Sequence, residues 1–302
     1  MKVFVTGGTG LVGRAVVGAL VLRKDEVICA TRHETRARSL LPVGVEFLAA
    51  DPARPGPWQD AVARCDAIVN LAGEPIAGGR WTAGRKRRIR RSRLETTRNV
   101  AAAAVRADRV KVLVSASATG YYGDGGERAL DEGAEPGHDF LGHLALEWEE
   151  SARAAQGSGR RVVLLRTGIV LAREGGALPR LSLPLRLFVG GPLGSGRQYF
   201  PWIHLDDVVR IVLFALDTPD LAGPVNAVAP DPPTQAQFTR ALGRALGRPA
   251  WLSVPAFALR LLAGEVAGAL LASQRVVPKA LRARGFAFEH GNLDQALAEL
   301  CR

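Results

Sequence analysis

The chain opens on a short apolar strand that runs straight into three glycines, each one helical turn from the next. Met1-Lys-Val-Phe-Val-Thr6 leads into Gly7-Gly-Thr-Gly10-Leu-Val-Gly13, and a helical pattern follows. In a strand–turn–helix the first glycine permits a tight turn, and the second lets backbone N–H groups approach a pyrophosphate. The third lets the helix pack close to the sheet. The start of the helix then meets the phosphates with unpaired N–H groups and its positive dipole end. A dinucleotide is therefore expected on Gly7, Gly10, Leu11, Val12 and Gly13.

At 302 residues, 47% hydrophobic and 23% charged, the chain has ample core and is far from disorder. The apolar stretch from Val3 to Leu22 is broken by Thr6, Thr9, Arg14 and the glycines, so neither an export signal nor a membrane span is expected. Cys29, Cys65 and Cys301 are odd in number and widely spaced, which supports neither a disulfide framework nor a zinc site and points to the cytoplasm. Net charge is +11, carried by forty basic residues. The run Arg85-Lys-Arg-Arg-Ile-Arg-Arg-Ser-Arg93 comes without an aromatic platform or a known reader motif. It reads as a solvated helix face with one end toward cofactor phosphate, not as a nucleic-acid site.

Apolar, β-branched runs at Val3–Thr6, Glu26–Thr31, Val45–Ala50, Ala67–Leu71, Val110–Ser115 and Val162–Arg166 read as buried strands. Gly13–Leu22, Trp58–Cys65, Arg85–Val105 and Phe140–Ala155 alternate with them as helices. This alternation predicts an α/β fold, a Rossmann-type doubly wound parallel sheet with a smaller C-terminal substrate lobe. Residues 1–170 are expected to form the dinucleotide-binding domain, its sheet completed by parts of 200–230. Residues 171–302 make a mostly helical lobe, and the cleft between the two is the expected substrate site.

A second strand that ends in Asp or Glu binds the ribose hydroxyls of NAD. Here it ends Ala30-Thr31-Arg32-His33, with Arg36 and Arg38 close by. A guanidinium can pair bidentately with a 2′-phosphate, so Thr31 and Arg32 predict NADP. Asp51, after the third strand, is placed to reach the adenine amino group. Leu71-Ala72-Gly73, after the fourth, leave room for the dinucleotide to cross the sheet. Arg93 is the member of the basic run expected to reach inward.

The chain resembles the extended branch of the short-chain dehydrogenase/reductase superfamily, and within it the atypical epimerase-family group of NADP-dependent oxidoreductases. The matches are Thr6-Gly-Gly-Thr-Gly10, Leu71-Ala-Gly-Glu-Pro-Ile76, Arg80-Trp-Thr82, Ser92-Arg93, Ser115-Ala-Ser117 and Gly120-Tyr-Tyr-Gly123. They continue with Gly191-Pro-Leu-Gly-Ser-Gly-Arg-Gln198, Trp202-Ile-His204, and a tail of Ser273-Gln-Arg-Val-Val-Pro278 with Gly285-Phe286. The resemblance spans essentially the whole chain. It implies an NADP(H)-binding oxidoreductase or epimerase-like protein acting on a carbonyl or hydroxyl, with Ser117 as the serine that positions substrate oxygen.

The superfamily pairs that serine with a Tyr and a Lys four residues later, the Lys lowering the phenol's pKa for proton transfer. On the matching helix the positions fall on Leu141 and Ala145. Tyr121, Tyr122 and Tyr199 are the chain's tyrosines, and four residues on stand Gly125, Gly126 and Ile203, so no Tyr-x-x-x-Lys exists anywhere. Tyr121 or Tyr122 can supply a phenol, or His143 can serve as acid or base. Otherwise the protein is a non-catalytic NADP-responsive binding or regulatory protein. Arg197, Gln198, Trp202 and His204 are the expected substrate-side groups, the Arg–Gln pair suiting a carboxylate or phosphate. His204-x-x-Asp207 also fits a helix entrance with Asp206 or Asp207 as cap. A metal is not expected, for want of further ligands. A small-molecule substrate is expected and a nucleic-acid or membrane partner is not; monomer and dimer stay open.

Overall fold

The computed structural model describes all residues except Ala77 and Ser158. Strand β1 (Lys2–Thr6) leads through the glycine turn to α1 (Leu11–Leu22), then β2 (Glu26–Thr31), α2 (Glu34–Leu40), β3 (Val45–Ala49), α3 (Trp58–Val62) and β4 (Ala67–Asn70). The second half continues with α4 (Ala83–Val105), β5 (Val112–Ala118), the small strand β6 (Ala129–Leu130), α5 (Phe140–Arg153) and β7 (Arg161–Thr167). A short hairpin of β8 (Ile169–Ala172) and β9 (Gly175–Gly176) precedes α6 (Leu178–Arg186). The chain then returns through β10 (Trp202–His204), α7 (Leu205–Asp217) and β11 (Gly223–Ala227) before α8 (Gln235–Leu246), α9 (Ala256–Ala263) and α10 (Val266–Leu271). Strand β12 (Arg275–Val276), α11 (Lys279–Arg282) and α12 (Leu293–Leu300) close it.

Seven strands form one sheet in the order β11-β7-β5-β4-β1-β2-β3, every pair parallel. The order reverses between β1 and β4, the point beside which open sheets of this kind bind ligands at the carboxyl ends of their strands. Alternation along β1 divides the core. Val3 and Val5 meet Val16, Val17 and Leu20 of α1 and Val208 and Ile211 of α7. Phe4 faces the other way, onto Trp58, Val62 and Val100 of α3 and α4. Each such fully buried side chain contributes about 1.5–3 kcal/mol. The lobe has its own core, in which Trp202, Leu171, Phe238 and Leu297 gather β8, β10, α8 and α12. Its outer edge is tied back to the first half by β12, which pairs with β6.

One difference from the sequence reading bears on the site. Strand β5 runs on past Ser115 through Ala116-Ser-Ala118, which reads as loop because its residues are small and polar; the ladder to Leu165–Thr167 carries it. Helix α7, with seven buried residues, belongs to the main layer beside α1, and the lobe is interleaved with the sheet domain.

Helix α1 can approach the sheet only because Gly13 has no side chain. A Cβ there would run into the Gly7 carbonyl and stand 2.8 Å from the Gly8 Cα. Gly13→Ala should therefore lower stability by about 1–3 kcal/mol through overpacking. Urea unfolding measures it, and an unchanged midpoint would mean that turn and helix separate freely.

Candidate active site

The cradle is built from backbone. Gly7 has φ +71°, and a Cβ on it would lie 2.6 Å from the Leu71 carbonyl carbon, so the turn presses on the crossing loop. Leu71 N–H donates to Thr6 O (3.1 Å), and Thr6 Oγ1 donates to Asn70 Oδ1 (2.7 Å). Side chains of Thr82 and Asp139 cap α4 and α5, whereas α1 starts at Gly10 with no side-chain cap and no acid in its first turn. Its first N–H groups are left for an anion. Leu11 and Val12 begin the helix half-buried, with Leu11 against the Gly175–Gly176 hairpin.

At the tip of β2, Thr31 Oγ1 accepts from His33 N–H (3.2 Å), while Arg32 is exposed and makes no ion pair among the described residues. Arg38 is spent on Glu34 (2.6 Å). Asp51 turns its carboxylate onto its own loop, accepting from Ala53 N–H (3.2 Å). Of the basic run, Arg90 pairs with Glu147, Arg91 with Glu95 and Lys86 with Glu265. Arg85 folds back onto Pro75 O (2.9 Å), and Arg93 is the arginine of the run that is buried. It lies 5.0 Å over the Trp148 ring and donates through Nη1 to Glu74 O (2.9 Å). A Cβ on Gly73 would crowd its Cζ at 3.3 Å. Burial lowers its pKa to about 10, and Nε is buried without a partner. A buried guanidinium with no paired carboxylate, beside the crossing loop, suits an anionic group.

At the last rungs of the β5–β7 ladder, where Ser117 stands opposite Arg166, lies a buried polar cluster. Arg166 and Glu149, each with a 1% exposed side chain, form a two-pronged pair at 2.7 and 2.9 Å. Ser117 donates its hydroxyl to Glu149 Oε1 (2.8 Å). Tyr122 donates to Asn226 Oδ1 (2.7 Å) and accepts from Arg166 Nη1 (3.0 Å). Burial would lower the Arg166 pKa, but the carboxylate outweighs it and holds it above the ordinary value. Burial also pushes Tyr122 up to about 12 against the pull of Arg166. The Tyr121 ring lies 3.4 Å from the Arg166 guanidinium, yet its hydroxyl makes no hydrogen bond among the described residues and keeps solvent contact. Leu141 and Ala145 stand where the superfamily's phenol and ammonium would be, Leu141 against Gly120 and Ala145 among Tyr121 and Tyr122. His143 is exposed, its Nδ1 2.8 Å from Asp139 O.

Of the four substrate-side candidates, Arg197 is free at the surface, while Trp202 Nε1 and His204 Nε2 are buried without a partner among the described residues. Arg197 is exposed and makes no side-chain hydrogen bond or ion pair among the described residues. Gln198 is buried and donates to Leu193 O (2.9 Å). Trp202 is 1% exposed in the lobe core. His204, in place of Asp206 or Asp207, caps α7, its Nδ1 accepting from Asp206 N–H (3.1 Å). Asp207 instead accepts from the N–H groups of Glu289 and His290, both at 3.0 Å. His204 stacks on His290 with centroids 3.8 Å apart, and these two lie with Glu299 within 4.8 Å of one another. Because Nδ1 holds the cap, the neutral His204 ring carries its proton on Nε2 and has no lone pair there for an ion. Sequence reading missed Glu149, Arg166, Asn226 and His290. The available signal was the charge of Arg166 at the end of an apolar strand, since a buried arginine demands a partner.

Sheet order and cradle define a dinucleotide-binding protein of the Rossmann type. The chain belongs to the NAD dependent epimerase/dehydratase family, whose model matches residues 3–228, and residues 254–300 match a domain of unknown function, DUF1731. An epimerase family protein of Mycobacterium tuberculosis is 42% identical over 98% of this chain and 96% of its own. Bovine epimerase family protein SDR39U1 is 39% identical over 99% of each chain. The crystal structure of human SDR39U1 with NADPH superposes with TM-score 0.86 at 36% identity, covering 100% of this chain and 99% of that one.

Burial, and then His290, lower the His204 pKa, with Asp206, Glu299 and Asp207 pulling against them. A histidine whose folded pKa lies below its unfolded 6.5 leaves the unfolded state binding more protons, so stability should fall as pH drops through that value. His204→Asn keeps a capping oxygen and should flatten this acid limb in thermal melts from neutral pH downward. An unchanged limb would place the titration elsewhere.

Proposed function

We propose that this chain is an NADPH-dependent oxidoreductase or epimerase-like enzyme of the cytoplasm, acting on a small molecule through its carbonyl or hydroxyl carbon. What carries the reading is the acid-free tip of β2, where Arg32 stands unpaired, together with the bare start of α1. Gly7, Gly10, Leu11, Val12 and Gly13 would hold the pyrophosphate, Thr31 and Arg32 the 2′-phosphate, and Asp51 the adenine. Leu71, Ala72, Gly73 and Arg93 would line the crossing. The human relative's NADPH supports the choice of cofactor, and three free cysteines suit a reducing compartment. Arg32→Asp should cost NADPH affinity on the order of 2–4 kcal/mol by removing a charge-assisted contact and repelling the phosphate. Calorimetric titration should show NADH affinity changing far less; equal losses would mean that Arg32 does not read the phosphate.

Bound NADPH supplies a hydride. The proton is the protein's business. Ser117 gives its own proton to Glu149, so toward substrate its oxygen is an acceptor that can orient a hydroxyl. Tyr122 is committed on both sides, whereas the Tyr121 hydroxyl is free. Tyr121 is thus the donor to a carbonyl oxygen, with Arg197 drawing an anionic group of the substrate to the rim. A neutral phenol favours reduction over oxidation, since no ammonium helps it lose its proton. With a turned-over carbonyl in hand, Tyr121→Phe should lower kcat by about 100-fold, the scale of one general acid. Tyr122→Phe should act mainly on stability, by about 1–3 kcal/mol for the partners it leaves. Full activity in Tyr121→Phe would make water the acid.

Leu141 and Ala145 favour a second reading, an NADP-responsive regulatory protein without turnover. Stopped-flow absorbance at the NADPH band across a carbonyl panel decides: silence with NADPH bound selects it.

A further inference from the structure

Helix α9 is built of seven apolar residues and Arg260, and none of the eight is buried. In a globular chain an apolar helix left bare is a surface awaiting cover. Phe257 and Leu261 are 73% and 74% exposed on it. The bare surface continues into a neighbouring loop. Trp251, 73% exposed, precedes Leu252, whose N–H donates to Gly190 O at 3.3 Å. Next to Gly190 stand Val189 and Phe188, both half exposed. Phe188 has φ +61°, a left-handed backbone that costs a bulky residue energy, and its ring is displayed outward with Arg248 4.8 Å above it.

Charge says what covers this face. The 187–189 and 249–255 loops and α9 carry Arg260 and no Asp or Glu, Arg248 stands over Phe188, and Glu265 just past α9 is paired with Lys86. Arg180, Arg186, Arg248 and Arg260 are exposed, and none of them has a carboxylate partner among the described residues. A second copy placed face to face would set arginine against arginine, in a protein already at +11. Apolar side chains with an interfacial tryptophan, rimmed by arginines, match the boundary of an anionic bilayer, where acyl chains take the first and headgroup phosphates the second.

We propose that the face made by α9 and the 187–189 and 249–255 loops docks peripherally on anionic lipid membrane. No helix among the described residues is long and apolar enough to span a bilayer, so the contact lies in the interface plane. This reverses the expectation of no membrane partner, because the sequence does not reveal which of its many leucines end up outside.

Trp251 gives the experiment its own reporter: Trp58, Trp81, Trp148 and Trp202 are all buried. The full chain is mixed at low salt with vesicles of phosphatidylcholine alone, or with about one-quarter phosphatidylglycerol. The expected result is a blue shift of fluorescence and co-sedimentation with the anionic vesicles only, weakened at about 0.5 M salt. Trp251→Ser with Phe257→Ser should lower the partition coefficient at least about tenfold. Arg248→Glu with Arg260→Glu should remove the preference for anionic lipid, and cooperative thermal unfolding checks that each variant is folded. Absence of vesicle binding overturns the proposal, as does equal binding by the variants. A concentration-dependent dimer abolished by Trp251→Ser gives the face to a second copy and overturns it too. None of these readouts depends on turnover or cofactor, so they stand or fall apart from the enzymatic reading.

Discussion

Arg166 and Glu149 form the contact around which the candidate active site is organised. Both side chains are 1% exposed, and leaving one such charge without the other costs about 3–5 kcal/mol. The pair therefore fixes what its neighbours can do. Glu149 takes the Ser117 proton, Arg166 takes the Tyr122 oxygen, and the Arg166 face holds the Tyr121 ring. Three side chains that look equally catalytic in sequence thereby become an acceptor, a strut and a free phenol. Past the end of β5, Tyr121 is the one of the three whose hydroxyl makes no hydrogen bond among the described residues, because the pair engages the other two.

The same economy explains how the cleft lacks the usual Tyr and Lys without collapsing. Leu141 fills the first position with hydrocarbon against Gly120, and Ala145 leaves the second to the tyrosines. Ala145 packs with Tyr121 and Tyr122, the two rings that Arg166 holds, so a lysine at 145 would enter a cluster that already carries a buried cation.

The fold was legible because its signals are local. Apolar runs with helices between them mark β1 to β5 and β7, and Gly7 and Gly13 mark the one turn where backbone must touch backbone. Of the candidate site, the sequence places what is local to one strand end, the uncapped start of α1 and the exposed Arg32 at the tip of β2. The site was illegible where partners meet from afar. Ser117 and Glu149 are 32 residues apart, Tyr122 and Asn226 104, and His290 is brought against His204 by Asp207, which accepts from its N–H. The bunching of Trp202 and His204 in the sequence does not show that the lobe core takes the Trp202 ring and that the cap of α7 takes His204 Nδ1, with Trp202 Nε1 and His204 Nε2 buried without a partner among the described residues.

That long-range wiring also shows why the two matched regions, 3–228 and 254–300, are one unit. Asn226, which accepts from Tyr122, donates its amide to Val277 O at 3.0 Å. Glu132 Oε1 accepts from the N–H groups of both Asn226 and Ala280 at 3.1 Å. Asp207, 1% exposed at the start of α7, receives the backbone of Glu289 and His290. Each contact joins a polar atom of the first region to backbone of the second, so removing the tail would take a hydrogen-bond partner from each of Asn226, Glu132 and Asp207. The C-terminal segment is therefore a structural member of the candidate site, bonded to the same network that holds Tyr122 and, through Arg166 and Glu149, Ser117.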